Sequence, residues 1–206
     1  MADERGLPLM AAALFLTGFN LWDESRARRA AERIEARMPR AAEDSPISAD
    51  AGEVEIPDYL LNPNMEMPEV EIGGNDYIGT LSIPALGLSL PVMSQWSYPK
   101  LRIAPCRYAG SAYQGNLILS AHNYSSHFGQ IGTLQAGDRV TFTDVDGNVF
   151  LYSVAEIQIL QPGDVEEMLS GGWALTLFTC TLGGRTRVTV RCEEAADAGR
   201  GYGFSI

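Results

Sequence analysis

Three residues at the ends of apolar runs have side chains that can carry acyl-transfer chemistry. Cys180 closes Ala174-Leu175-Thr176-Leu177-Phe178-Thr179-Cys180, and Arg187 opens Arg187-Val188-Thr189-Val190-Arg191-Cys192 seven residues later. His122 follows a third run, Asn116-Leu117-Ile118-Leu119-Ser120-Ala121. In such a set a thiolate attacks a carbonyl carbon, an imidazole moves the protons, and a guanidinium neutralises the oxyanion. A free cysteine ordinarily packs as a small hydrophobe. Here the period-two alternation of a strand puts Cys180 on one face with Thr176 and Phe178, and Leu175, Leu177 and Thr179 on the other. The short Thr181-Leu182-Gly183-Gly184 connection then places the thiol near a rim. Arg185, Arg187, Thr189 and Arg191 alternate in the same way. Arg187 is the favoured oxyanion donor and Arg185, in the turn, the second candidate. His127, in the polar stretch Ser125-Ser126-His127-Phe128, reads as a surface histidine competing with His122 for the proton-transfer role.

The elements that must position these residues are mostly strands. Tyr77–Ile83 alternates, Leu86-Gly87-Leu88-Ser89-Leu90 forms a short run, and Asp138–Thr143 and Val149–Leu160 flank Asp144-Val145-Asp146-Gly147-Asn148, whose Asp-Gly pair marks a hairpin turn. With Asn116–Ala121, Ala174–Thr179 and Arg187–Cys192 this predicts at least seven strands. Short helical pieces fit around Gln130–Leu134 and Asp164–Leu169. Many short strands and few helices predict a closed or nearly closed β-barrel.

The N-terminal part has a different character. Residues 7–22 are uncharged over sixteen positions, shorter than the ~20 apolar residues of an ordinary membrane span. They are read as an anchor, with a buried or an interfacial helix as the other readings. Residues 23–39 are rich in helix formers, and Pro39 ends the pattern. Arg26, Arg28, Arg29, Arg33, Arg37 and Arg40 follow the apolar run and only Arg5 precedes it, a bias that by itself would keep the C-terminal part in the cytoplasm. The expected division is 1–40 for the apolar segment and charged helix, read as a membrane anchor, and 41–74 for a Pro- and acid-rich linker or docking arm. The catalytic β-barrel is expected over 75–192, and 193–206 form a loose tail. Within the linker, residues 56–67 are read as an arm that could lie across the groove as a lid.

Composition excludes other functions. A net charge of −11 gives no basic surface for nucleic acid. No Cys-x-x-Cys, zinc-type spacing or glycine-rich phosphate loop is present, so neither a metal nor a cofactor is expected. Three cysteines leave at least one thiol free. Cys106 and Cys192 could pair or could each be buried.

These residues in this order resemble the sortases, the membrane-anchored cysteine transpeptidases of Gram-positive bacteria. Leu175–Cys180 looks like their Thr-Leu-x-Thr-Cys strand, Arg187–Arg191 like their arginine strand, and Leu117–His122 like their histidine strand. Tyr77–Pro84 followed by Leu90-Pro91-Val92 resembles their opening strands. Ala121 stands where sortases usually carry glycine, and subclass stays open. The resemblance implies an eight-stranded β-barrel with short helices, and a catalytic set of His122, Cys180 and Arg187. Thr179, Ala121 and Asn123, with the Gln161–Trp173 loop, would line the substrate groove. It also implies an LPxTG-like sorting-signal peptide of secreted surface proteins as substrate, and a thioester intermediate. The acceptor would be an amine of a cell-wall precursor or a pilin. The catalytic domain would be extracellular, on a single-pass anchor in the cell membrane. Two other readings remain: a thiol peptidase that mainly hydrolyses, and a tethered barrel that binds without chemistry.

Overall fold

The computed structural model describes residues 6–38, 56–181 and 183–195. Helix α1 (Gly6–Glu35) unites the apolar segment and the arginine-rich segment in one helix. No helix among the described residues is long and apolar enough to cross a membrane. The single-pass span expected from residues 7–22 is therefore not supported. Instead, Ala27, Ala31 and Met38 at the C-terminal end of this segment are buried against the rest of the chain. Helix α2 (Asp58–Leu61) is a single turn in the arm that follows.

Nine strands form the body: β1 (Val70–Ile72), β2 (Asn75–Ile83), β3 (Leu88–Met93), β4 (Cys106–Ala109), β5 (Leu117–Ser120), β6 (Arg139–Asp144), β7 (Val149–Leu160), β8 (Leu175–Cys180) and β9 (Arg187–Glu194). Two further short helices, α3 (Tyr98–Leu101) and α4 (Val165–Leu169), lie in the β3–β4 and β7–β8 connections. The strand order β2-β3-β4-β5-β8-β9-β7-β6 closes through antiparallel pairing of β6 with β2, giving an eight-stranded barrel. The short β1 pairs with the first residues of β2, before the seam with β6 begins at Gly79. At that seam Gly79 has φ +154°, and a Cβ there would run into the carbonyl oxygen of Thr143. Only glycine lets the two strands approach so closely.

Alternation decides what fills the barrel. Leu81, Ile83, Leu117, Leu119, Val140, Phe142, Leu175, Leu177 and Val190 are all fully enclosed in one core. The end of the barrel where β5 begins is closed by Tyr113, whose hydroxyl donates to Asp144 Oδ2 at 2.7 Å. Asp144 also accepts from the backbone N–H groups of Asp146 and Asn148 and from the Asn148 side-chain amide, so one buried carboxylate organises the β6–β7 hairpin. Tyr59 of the arm stacks on Tyr113 at 4.7 Å and leans on Phe150. Tyr59 thus seats the start of the arm at the end of the barrel where β5 begins, and residues 64–67 run on beside Trp96, Arg107 and Tyr108.

Replacing Asp144 by Ala leaves the buried Tyr113 hydroxyl and two half-buried hairpin N–H groups without their acceptor. The expected loss is about 3 kcal/mol of unfolding free energy, read as a lower urea midpoint with unchanged slope.

Candidate active site

The site is built by two strand pairings. β5 runs parallel to β8 with Leu117 opposite Leu175 and Ser120 opposite Phe178, a constant offset along the pair. The hydrogen bond from Ala121 N to Phe178 O, 3.2 Å, and the one from Thr179 Oγ1 to Ala121 O, 2.8 Å, carry the same register past the end of β5. The same 58-residue separation links Thr179 to Ala121 and sets His122 level with Cys180. On the other side β8 and β9 are antiparallel, and Cys180 is the direct partner of Arg187. His122, Cys180 and Arg187 therefore occupy three adjacent chain ends, with backbones spaced by about 5 Å per strand. Alternation turns all three to the outer face of the barrel.

Cys180 is exposed and His122 half-buried. The His122 ring stacks on Tyr124, centroids 4.8 Å apart and planes 23° from parallel. Arg187 Nη1 donates to the carbonyl oxygens of Gly184 and Thr186, both at 3.2 Å, which holds the guanidinium over the β8–β9 turn. That turn is tied across its base by Thr181 and Thr186, whose backbones and hydroxyls bond one another. The hairpin end carrying both Cys180 and Arg187 is thus fastened just beyond them. Arg185, the alternative donor, is exposed in the same turn.

The other residues expected at the groove are placed differently. Ala121 and Thr179 are each 3% exposed and face the barrel interior, where the Thr179 hydroxyl is spent on the Ala121 carbonyl. They join the β5 and β8 ends rather than lie open beside the thiol. Asn123 is half-buried. Cys106 and Cys192 are unpaired and buried in separate apolar clusters, so they form no disulfide with each other. Burial pushes the Cys106 thiol up to about 11 and the Cys192 thiol up to about 12. Cys180 is the one exposed thiol among the three. No group of three or more histidine, cysteine or acidic side chains among the described residues could hold a metal ion.

Below Cys180 the outer face carries a second apolar layer. Phe178, Ile118 and Leu160 pack with Met168 of α4, and Tyr108 meets the Phe178 ring edge-on at 5.2 Å. The β7–β8 connection is held over this face by Arg191, which is 1% exposed. Its guanidinium donates to the carbonyls of Glu167 and Met168 at the end of α4, to Thr176 Oγ1, and to Gln158 Oε1. Burial pulls its pKa below the ordinary guanidinium value, while Glu167 and Glu156 act in the opposite direction. Arg191 shares the face of Arg187, as the alternation of arginines required, but it ties α4 to that face.

His127 is not on the surface, contrary to expectation. It is fully buried behind Tyr124, with ring centroids 5.5 Å apart. Its polar neighbours mislead, because Phe128 and Ile131 just after it are core residues that draw the loop inward.

The Sortase domain family model matches residues 81–195, more than half of the chain and all three candidate residues. The chain belongs to the sortase family. It is 27% identical to sortase A of Bacillus anthracis over 137 residues, 64% of this chain. The match spans 62% of that relative's length. Among solved structures, sortase C1 of GBS pilus island 1 superposes with TM-score 0.52 at 20% identity, covering 62% of this chain and 68% of that one. Sortase C1 of Streptococcus suis gives 0.52 at 23%, covering 61% and 76%. The Clostridium perfringens sortase D5 transpeptidase gives 0.52 at 23%, covering 61% and 83%. These likenesses show the sortase barrel.

Two outcomes are expected of the site's framework. Arg191→Met removes a buried guanidinium that satisfies two carbonyls, and should lower stability by about 3 kcal/mol and speed proteolysis within residues 161–173. His127 has its pKa lowered from 6.5 to about 4, by burial first and by His122 second. The unfolded chain binds its proton below 6.5 and the native state does not until about 4. This contribution is intact above that window and is lost as pH falls through it, by about 3 kcal/mol in all. Urea midpoints at pH 7 and pH 4.5 should show a smaller acid loss for His127→Phe than for the native chain.

Proposed function

We propose that this sortase is a cysteine transpeptidase that cuts an LPxTG-like sorting signal near the C-terminus of secreted proteins and joins the new end to an amine. The alignment of His122, Cys180 and Arg187 on three neighbouring chain ends carries this reading. Cys180 Sγ bonds to the scissile carbonyl carbon as its proton passes to His122, and Arg187 neutralises the oxyanion that forms. The C–N bond then breaks as His122 gives its proton to the departing amine, leaving a thioester on Cys180. An incoming amine attacks the thioester and loses a proton to His122, and the thiolate leaves. The wall formed by α4 and the β7–β8 connection, with Phe178 and Tyr108 beneath, offers apolar surface for the signal. Ala121 and Thr179 hold the two strand ends together, and Asn123 flanks the histidine. The acceptor is an amine of a cell-wall precursor or a pilin, which places the barrel on the outer side of the cell membrane.

Incubation with a library of Leu-Pro-x-Thr-Gly peptides, with and without an amine acceptor, tests the proposal. Mass spectrometry should find an acyl adduct on Cys180 that is absent from Cys180→Ala. Added amine should divert the product from acid to amide. His122→Ala should lower kcat/KM by about 10²- to 10⁴-fold and Arg187→Ala by about 10²- to 10³-fold. A partition indifferent to amine would make the protein a thiol peptidase, and no adduct with any peptide would make it a binding module.

A further inference from the structure

The loop that follows β5 folds tightly back on His122. Phe128 N donates to His122 O at 3.1 Å, and the N–H groups of His127 and Gly129 both donate to Tyr124 O, at 3.0 and 2.8 Å. A Cβ on Gly129 would meet the carbonyl oxygens of Asn123 and Tyr124, so the turn closes this far only with glycine there. Three rings are thereby brought into a row. His122 lies on Tyr124, 4.8 Å away and nearly parallel, and Tyr124 rests on His127, 5.5 Å away at 52°. His127 is wholly enclosed, and neither ring nitrogen has a hydrogen-bond partner among the described residues. An imidazole buried with both nitrogens unpartnered costs stability. What it offers in that place is a rigid ring of fixed position.

We propose that His127 is a positioning residue for His122: its ring is a wedge behind Tyr124 that keeps the phenol face against the His122 imidazole and so fixes the plane in which that imidazole meets Cys180. The inference rests on His122 as the proton carrier described above. His127 does its work as a neutral ring, consistent with its lowered pKa. A charged ring there would be unpaired and would repel a protonated His122. A Tyr124 left without backing would let the half-buried His122 turn among rotamers, and misplaced proton transfer lowers turnover without weakening substrate binding.

The chain has two histidines, so any His127 variant leaves His122 as its only imidazole and makes the ring-proton NMR signal unambiguous. His127→Phe keeps a flat ring and discards the nitrogens. His127→Leu fills the space without a flat face, and His127→Ala empties it. In His127→Phe the stacked, ring-shifted His122 signal should be retained, with kcat within about twofold of native, because a ring of similar shape preserves the packing. In His127→Leu and His127→Ala the signal should move toward that of an unstacked histidine, and kcat should fall about 10- to 100-fold with KM unchanged. An unchanged His122 signal and unchanged kcat in both would overturn the proposal. So would a His127→Phe variant as inactive as His122→Ala, since that would give the buried nitrogens a part in the chemistry. The NMR comparison needs no substrate, so it decides the positioning role even where no peptide is turned over.

Discussion

The parallel pairing of β5 with β8 is the constraint on which the rest of this molecule depends. Parallel strands cannot be joined by a tight turn, so the chain must leave β5, build β6 and β7, and return before β8 can form. That detour creates both structures flanking the thiol. One is the loop after His122, and the other is the α4 connection held over the outer face. Side chains alternate with period two, so a slip of one residue in this register would turn Cys180 inward and Thr179 outward. Two hydrogen bonds beyond the end of β5, at Ala121 N and Ala121 O, guard against that slip.

The outer face also shows how a polar residue can support an apolar layer. Arg191 sits beneath Met168 and beside Thr176, and it is almost wholly enclosed. A charge in that position is costly unless every donor is matched. The carbonyls ending α4 supply partners that the short helix cannot satisfy within itself. The helix needs donors and the guanidinium needs acceptors, and each lets the other be buried. The wall beside the thiol is consequently fixed by a backbone requirement, leaving its exposed residues free to vary.

Much of this was legible in the sequence, because period-two alternation is a strong signal over runs such as Leu175–Cys180 and Arg187–Cys192. The barrel, the hairpin at Asp146-Gly147 and the shared outward face of Cys180 and Arg187 all follow from it. The strands β1 and β4 went unseen, since three or four residues hold too few alternations to mark a strand. β4 begins at a cysteine that is buried by α1 and α3 rather than by the barrel core. His127 was misjudged because local polarity describes neighbours along the chain, whereas its burial comes from Phe128 and Ile131 pulling the loop into the core. The two roles of the arginine stripe were equally hidden, as alternation assigns a face and not a depth. Tyr59 meets Tyr113 and Phe150, both distant in sequence, so its place on the barrel is not written in its own neighbours along the chain.

The separate burial of Cys106 and Cys192 matters for the oxidation chemistry of Cys180. An exposed thiol is the one an oxidant reaches first, and its sulfenic acid is rescued when a second thiol condenses with it. Neither sealed cysteine can serve, because Cys106 is buried beneath α1 and α3 and Cys192 within the barrel core. An oxidised Cys180 thus has no internal resolving partner, and its return to the thiol depends on a reductant supplied from outside. The redox poise of the surroundings, rather than any disulfide within the barrel, governs how much of the protein holds a reduced Cys180.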